Sequence, residues 1–414
     1  MSSSQNSGQY LLNLKPNAWT RSDYILLAFG CLMNFGDGIE INLPGVITQR
    51  VSCELGVDSV QEGILGSVFY MTLSFSIIIA GPLAVRFGRR EVCLFSLYTS
   101  ALVSIFCAIV ANFYTLLLSR ALIGLSVGFN LVIHCVLISE KVSCKAVLDK
   151  IWLMICIVYS LGGVWVSVLG YLTLDKLGWR VFVVLTSTPV FIPPIIILHF
   201  FISPEQEESE EDKIDEESEV LSIFDVIART CKATLFIATG FFESWSTILL
   251  LPALIKMLNM KKGSAEDCKH ITRGFEFFLL ALVAFAEVGG RISFYFLYRK
   301  IRFRTIFVLL AMVMSGSYTA MLVTQYLPVV VLANFLVKWG VGMVMMQFTF
   351  FNYHADYYGT KWLAVCSSLS KGCGVLMGVV GVTLDCFTAP QVTVAVALVL
   401  IVIQIITVIT MTEI

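Results

Sequence analysis

Twelve runs of mostly apolar residues dominate this chain, each long enough to cross a hydrocarbon core of roughly 30 Å at about 20 residues per helix. They fall near 23–46, 62–85, 91–111, 113–139, 149–171 and 180–202, and again near 230–256, 275–297, 304–324, 327–350, 360–384 and 391–411. Between the two sets lies PEQEESEEDKIDEESE, Pro204 to Glu219, which packs ten of the twenty-nine acidic residues into sixteen positions and holds no aromatic residue. A segment of that charge density cannot bury enough apolar surface to fold, so it reads as a solvated linker. The expected fold class is an all-α membrane protein of twelve transmembrane helices in two six-helix halves. Its division is an N-terminal tail over 1–22, a first half over 23–203, the acidic linker over 204–222 and a second half over 223–414.

Composition agrees: 57% apolar residues, 14% charged residues and a mean hydropathy of +0.85 lie far from a soluble mixture. The formal net charge of -1 hides an asymmetry, because outside the linker nineteen acidic residues face twenty-seven basic ones. Those basic residues mark membrane edges and not nucleic-acid contacts. Lys15, Arg21, Arg86, Arg89, Arg90, Lys141, Lys145, Lys150, Arg229, Lys232, Arg299, Lys300, Arg302, Arg304 and Lys361 share one side. The other side carries chiefly Arg50, Lys176, Arg180 and the cluster from Lys256 to Arg273. The positive-inside rule then puts both termini and the linker in the cytosol. The first twenty-two residues are polar and Ser-rich, which reads as a cytosolic tail and not as a signal peptide. The expected setting is multi-pass in an intracellular vesicle or plasma membrane, with lipid around a monomer.

The twelve cysteines form no CxxC pair, and most, such as Cys31, Cys107, Cys156 and Cys373, sit within apolar runs. They read as small apolar packers. Cys53 and Cys268 fall in the non-cytosolic loops, where bonding stays open, and the chain has no N-x-S/T sequon. Gly-rich pieces such as GLSVG and GCG lack the context and the Lys-Ser/Thr of a phosphate loop, and the four histidines are scattered. No enzyme, catalytic residue, metal site or cofactor is expected. The glycines read as close-packing positions between helices.

An internal repeat supports two related halves. Glu140 and Lys145, five apart, recur at an offset of 216 as Asp356 and Lys361. The basic cluster Arg86, Arg89, Arg90 has a counterpart from Arg299 to Arg304, so each marks the same corner of its half.

GPLAVRFGRR, Gly81 to Arg90, resembles the loop signature of the major facilitator superfamily between spans two and three, and SRALIGLSVG, Ser119 to Gly128, its fourth-span element. Glu140 stands where that family often ends the span with an acidic residue. Asp37-Gly-Ile-Glu40, Leu177-Gly-Trp-Arg180 and Ser203-Pro-Glu205 resemble the branch of the synaptic vesicle 2-related protein and the organic cation and anion transporters. The resemblance implies a carrier working by alternating access, with a site between the halves. It also implies a gating role for Gly81, Arg86, Gly88, Arg89, Arg90, Glu140 and Asp356. Three departures stand out: Val85 replaces the signature's Asp, the second-half copy YRKIRFR from Tyr298 to Arg304 lacks both Asp and Gly, and Asn334 stands about where the counterpart of Arg120 belongs. The first two motivate an alternative, a non-transporting ligand-binding or scaffold protein of a vesicle membrane.

Ionisable side chains in hydrocarbon cost several kcal/mol each unless paired or wet, which makes them informative. Asp37 and Glu40, three apart, share one face of the first span and read as a coupling-ion site in which one carboxylate holds a proton, with a structural pair as the bland reading. Arg120 is their candidate positive partner, or else snorkels outward. Glu243 beside Phe241, Phe242, Trp245 and Ser246 suits an aromatic-lined pocket with one charge, or a carboxylate bonded to a broken helix. Glu287 and Arg291, four apart, read as an intrahelical pair. Lys338 and Lys371 sit mid-span among glycines, and Lys371 falls about where the resembling family's anion-handling members carry Arg. With Glu243 and Trp245 they are the substrate-binding candidates, set against mutual neutralisation of the buried charges. His134 reads as a hydrogen-bonded packing residue ahead of a proton relay. The expected function is secondary transport of a small organic ion, with anionic or zwitterionic solutes favoured and proton coupling.

Overall fold

The computed structural model describes residues 19–57, 59–110, 112–142, 144–202, 222–260, 274–298, 300–301, 303–324, 326–353, 358, 360–387 and 390–410. The linker from Pro204 to Glu219, residues 1–18, Asp356, Cys268 and the Ser203-Pro-Glu205 motif lie outside them, as does the side chain of Cys53. The first half contributes α1 (Arg21–Leu55), α2 (Ser59–Phe87), α3 (Arg89–Phe106) and α4 (Phe113–Lys141). A 56-residue run, Lys145–Phe200, then breaks at Gly178, whose φ of 75° and ψ of 160° are non-helical. It is therefore two helices, α5 (145–177) and α6 (179–200). The second half contributes α7 (Ile223–Met260), α8 (Gly274–Leu297), α9 (Phe303–Val323), α10 (Leu327–Asn352), α11 (Thr360–Phe387) and α12 (Pro390–Thr410). No strand occurs among the described residues. Ten stretches there are long and apolar enough to cross a membrane, the Lys145–Phe200 run counting once. The chain is thus a multi-pass membrane protein of twelve helices.

The helices overrun the apolar stretches by several residues because their ends are capped in polar surroundings. Thr20 accepts from the Asp23 amide while the Asp23 carboxylate accepts from the Thr20 amide, a reciprocal cap satisfying two otherwise unpaired donors. Asn112 and Thr115 do the same for α4. Gly88 separates α2 from α3 at φ 87°, a conformation that glycine adopts without steric cost.

Successive helices alternate in direction. The face that carries the start of α1 also carries the junctions α2–α3, α4–α5, α8–α9 and α10–α11; it is called the terminal face here. Within each half the packing repeats: α1 lies along α5 and α7 along α11, while α2 lies along α4 and α8 along α10. The halves meet chiefly through α2 against α11 and α5 against α8. Close approach depends on small residues, as membrane helix interfaces do. A Cβ at Gly38 would strike the main chain of Tyr159, and one at Gly290 the main chain of Trp339.

Candidate functional site

Among the described residues, Asp37, Glu40, Glu243 and Glu287 stand against Arg120, Arg291, Lys338 and Lys371 in the apolar body of the helices, all buried except Lys371, which is half-buried. Their formal charges cancel. Helix rotation distributes them into separate groups.

In the first half, Glu40 Oε2 of α1 lies 3.8 Å from Arg120 Nη1 of α4, with side-chain exposures of 1% and 3%. Two charges this deep persist only as partners, since removing one leaves the other buried and uncompensated at a cost of about 3–5 kcal/mol. Ser187 of α6 also faces Glu40. Asp37, three residues earlier, points elsewhere. It is fully buried, and among the described residues neither carboxylate oxygen accepts a hydrogen bond. The groups facing it are Lys371 of α11, Glu40 of its own helix and the amide of Asn130 in α4. One helix face thus carries both acids, but only Glu40 has an ion-pair partner among the described residues, while Asp37 feels Lys371 at longer range.

Lys371 crosses from the second half to the first. Its Nζ donates to the Leu131 carbonyl of α4 at 2.7 Å and lies 5.2 Å from the centre of the Tyr353 ring, a cation held over an aromatic face. Tyr353 at the end of α10 donates its hydroxyl to the same Leu131 carbonyl at 3.4 Å. The Tyr353 carbonyl accepts from Ser139 Oγ at 2.8 Å, and its ring lies 5.6 Å from that of Trp152. These contacts from α4 and α5 to α10 and α11 close the inter-half seam toward the terminal face. Neighbouring α4 residues are bonded inward: Asn34 donates to His134 Nε2 at 2.5 Å, and His134 Nδ1 meets the Asn130 carbonyl.

At the corner of the terminal face Gly81 abuts α11 at Ala364 and Ser368. Arg89 pairs with Glu140 at 2.6 Å. Arg90 donates to the carbonyls of Leu198 and Ile202 at the end of α6, and to Glu91 at 2.9 Å. Arg86 lies over the Phe87 ring, and Val85 is 60% exposed.

The other half of the seam, toward the opposite face, holds a small cavity of roughly 30 Å³ between the two halves, room for about two water molecules. Asn42, Ser160, Glu287 and Lys338 supply its polar lining, and Val46 and Val283 are among its apolar walls. Glu287 and Arg291 bond within α8 as their spacing predicts, and Arg291 also donates to the Cys156 carbonyl of α5. One carboxylate oxygen of Glu287 is thereby fixed. The other lies 3.8 Å from Lys338 Nζ, beyond hydrogen-bond length, while Nζ donates to the Ser244 carbonyl of α7 at 2.8 Å. Glu243 and Trp245 are buried outside this lining, and Trp245 packs at 4.5 Å on Tyr70 of α2 and 5.2 Å on Phe241. Asn334 is fully buried, with neither amide atom hydrogen-bonded among the described residues.

The structure therefore brings Glu40 to Arg120 and Lys338 to Glu287, leaves Asp37 without an ion pair among the described residues but in the field of Lys371, and assembles no single pocket from the sequence candidates. Asn42, Ser160 and Tyr353 were missed, being polar residues of ordinary type in apolar runs. The Lys338 to Glu287 approach had one faint signal, a mid-span acid and base in the same half.

A sequence profile described as Major Facilitator Superfamily matches residues 27–382. The Caenorhabditis elegans protein svop-1, a transporter by name, is 26% identical over 161 residues, which are 38% of this chain and 30% of that protein. Human synaptic vesicle glycoprotein 2A is 26% identical over 144 residues, 34% of this chain and 19% of that one. The matched part of the chain thus spans under a third of the length of these relatives. Among solved structures, the human organic anion transporter MFSD10 superposes with a TM-score of 0.67 at 13% identity, covering 93% of this chain and 99% of that one. At that identity the likeness is one of fold.

Proposed function

Because this chain belongs to the Major Facilitator Superfamily, we propose that it is a secondary active carrier of a small organic ion, anionic or zwitterionic, working by alternating access with proton coupling. The observation that carries this reading is the unequal seam between the halves. Ser139, Leu131, Tyr353 and Lys371 tie it shut toward the terminal face, while a charged cavity lies between the same halves toward the other. That asymmetry suits one state of a protein that rocks about a central site.

Coupling follows from what faces Asp37. A charged Asp37 in the first half attracts Lys371 of the second half and favours the seam as it stands. A proton on Asp37 removes that attraction, so the two conformations differ in proton affinity and a proton gradient biases them. Glu40 has Arg120 beside it in its own half and acts by holding α1 on α4, so that Asp37 keeps its place. Arg89 on Glu140 supplies the terminal corner with an ion pair despite Val85, which supports retained cycling over a non-transporting role. Lys338, buried beside the cavity, favours a negative group on the solute, because a buried ammonium gains from an anionic partner. The relatives named for synaptic vesicles support residence in a vesicle membrane, with both termini cytosolic and the protein monomeric.

The test is uptake by proteoliposomes under an imposed pH gradient. The wild-type chain accumulates solute; Asp37→Asn loses gradient-driven accumulation and keeps exchange. Normal accumulation with unchanged pH dependence in Asp37→Asn would remove the coupling role from this residue.

A further inference from the structure

The cavity on the α8–α10 side carries a charge imbalance that specifies its ligand. Glu287 contributes one negative charge, and the two cations within reach of it are Arg291 and Lys338. Arg291 is engaged by Glu287 and by the Cys156 carbonyl. Lys338 is only partly engaged: of the three donors on an ammonium, one meets the Ser244 carbonyl. The ionisable groups that face Lys338 are Glu287 and Arg291, so the group as a whole has one positive charge in excess. The neutral polar lining adds donors. Asn42 uses one amide hydrogen on the Gly38 carbonyl and has a second, and the Ser160 hydroxyl faces Glu287. The remaining wall is aliphatic, with Val46, Leu280 and Val283 lining it.

We propose that this cavity, which as it stands has room for about two water molecules and widens as the halves rock apart on its side, binds a small organic monocarboxylate with an aliphatic tail, its carboxylate seated on Lys338 between α1, α5, α8 and α10, and its tail against Val46, Leu280 and Val283. This rests on the transport reading above and narrows it. One negative charge neutralises the excess, whereas a dicarboxylate leaves a second charge against the aliphatic wall. A zwitterion brings an ammonium toward Arg291 and Lys338, and an organic cation has no acid that is not already shared. Lys371, tied to Leu131 and facing Asp37, holds the seam and does not contact the solute.

Thermal-shift titration of the full chain in nanodiscs tests this, with isovalerate as the probe and isoamylamine, leucine and glutarate as its cationic, zwitterionic and dianionic counterparts. Isovalerate raises the melting temperature by mass action, and the other three bind about tenfold more weakly or less, the scale of a lost charge-assisted hydrogen bond. Lys338→Met leaves Glu287 paired with Arg291, so it folds and loses the isovalerate response. Val283→Phe keeps every charge but fills the wall, and loses it too. Lys371→Gln keeps it. Equal shifts from isovalerate and isoamylamine, or no isovalerate shift in the wild type, would overturn the proposal, as would a response lost in Lys371→Gln and retained in Lys338→Met. Uptake of labelled isovalerate into proteoliposomes separates the two readings. Binding that depends on Lys338 without flux upholds the site and removes transport, whereas flux of another solute without isovalerate binding removes the site alone.

Discussion

Lys371 and Lys338 are the same residue type, both mid-helix, both in the second half and both surrounded by glycines, yet their surroundings differ. Lys371 reaches across the seam to a main-chain carbonyl and an aromatic ring of the closed side, with Asp37 facing it from the first half. Lys338 stays within its own half and borders a cavity, with Glu287 at 3.8 Å. Lys371 is thus enclosed by acceptors and suits a tie, whereas Lys338 has space beside it for the proposed solute. The side of the seam on which each falls decides between the two.

The largest expected effect concerns the pairs on which that comparison rests. Arg120→Leu strands Glu40 in the body of the protein and lowers stability by about 3–5 kcal/mol, seen as loss of the monodisperse peak on detergent size exclusion. Adding Glu40→Gln to it recovers most of the folded protein. Loss of equal size in the double variant would mean that Arg120 acts through packing and not as a counter-ion.

Next in size is the tie itself. Lys371→Gln removes an inter-half hydrogen bond and the cation facing Asp37, interactions worth about 1.5–3 kcal/mol to a charged group. A population change of about tenfold or more toward the form open at the terminal face follows. Reactivity of a cysteine placed at Ser139 toward a membrane-impermeant maleimide, in a background without the native cysteines, measures it. Unchanged reactivity would leave Lys371 without a gating part.

A smaller effect is expected from Val85→Asp. Val85 is exposed and Arg89 already has Glu140 at 2.6 Å, so a restored carboxylate adds a surface pair worth about 0–1 kcal/mol. The same accessibility assay reads a modest shift toward closure of the terminal face. A shift as large as that of Lys371→Gln would show that the corner, and not the buried tie, governs the seam. The smallest effect belongs to the acidic linker: replacing Glu205 to Glu219 by Gly/Ser of equal length leaves membrane insertion and the monodisperse peak intact. Loss of the folded peak would assign the linker a structural part.

The twelve helices were legible in the sequence because the bilayer sets their length and demands apolar side chains along it. The Glu287–Arg291 pair was legible because four residues make one helical turn. The cross-helix meetings were not. Lys371 on the Leu131 carbonyl and Lys338 near Glu287 depend on how helices rotate against each other. A main-chain carbonyl carries no signature of its use as an acceptor. Asp37 and Glu40 show the limit most clearly: their spacing gave the shared helix face, but not that Arg120 would meet the second while Lys371 faced the first.

The central claim is that the seam closed by Tyr353 and Lys371 opens while the side holding the cavity closes. Spin labels at Lys145 and Tyr298, exposed positions at the terminal-face ends of α5 and α8, report this directly by electron–electron double resonance in nanodiscs. The account predicts two distance populations, the longer one gaining at acidic pH as Asp37 takes up a proton and releases Lys371, and losing its pH response in Asp37→Asn. A single distance at every pH, with or without isovalerate, would contradict it and leave a binding protein that does not cycle.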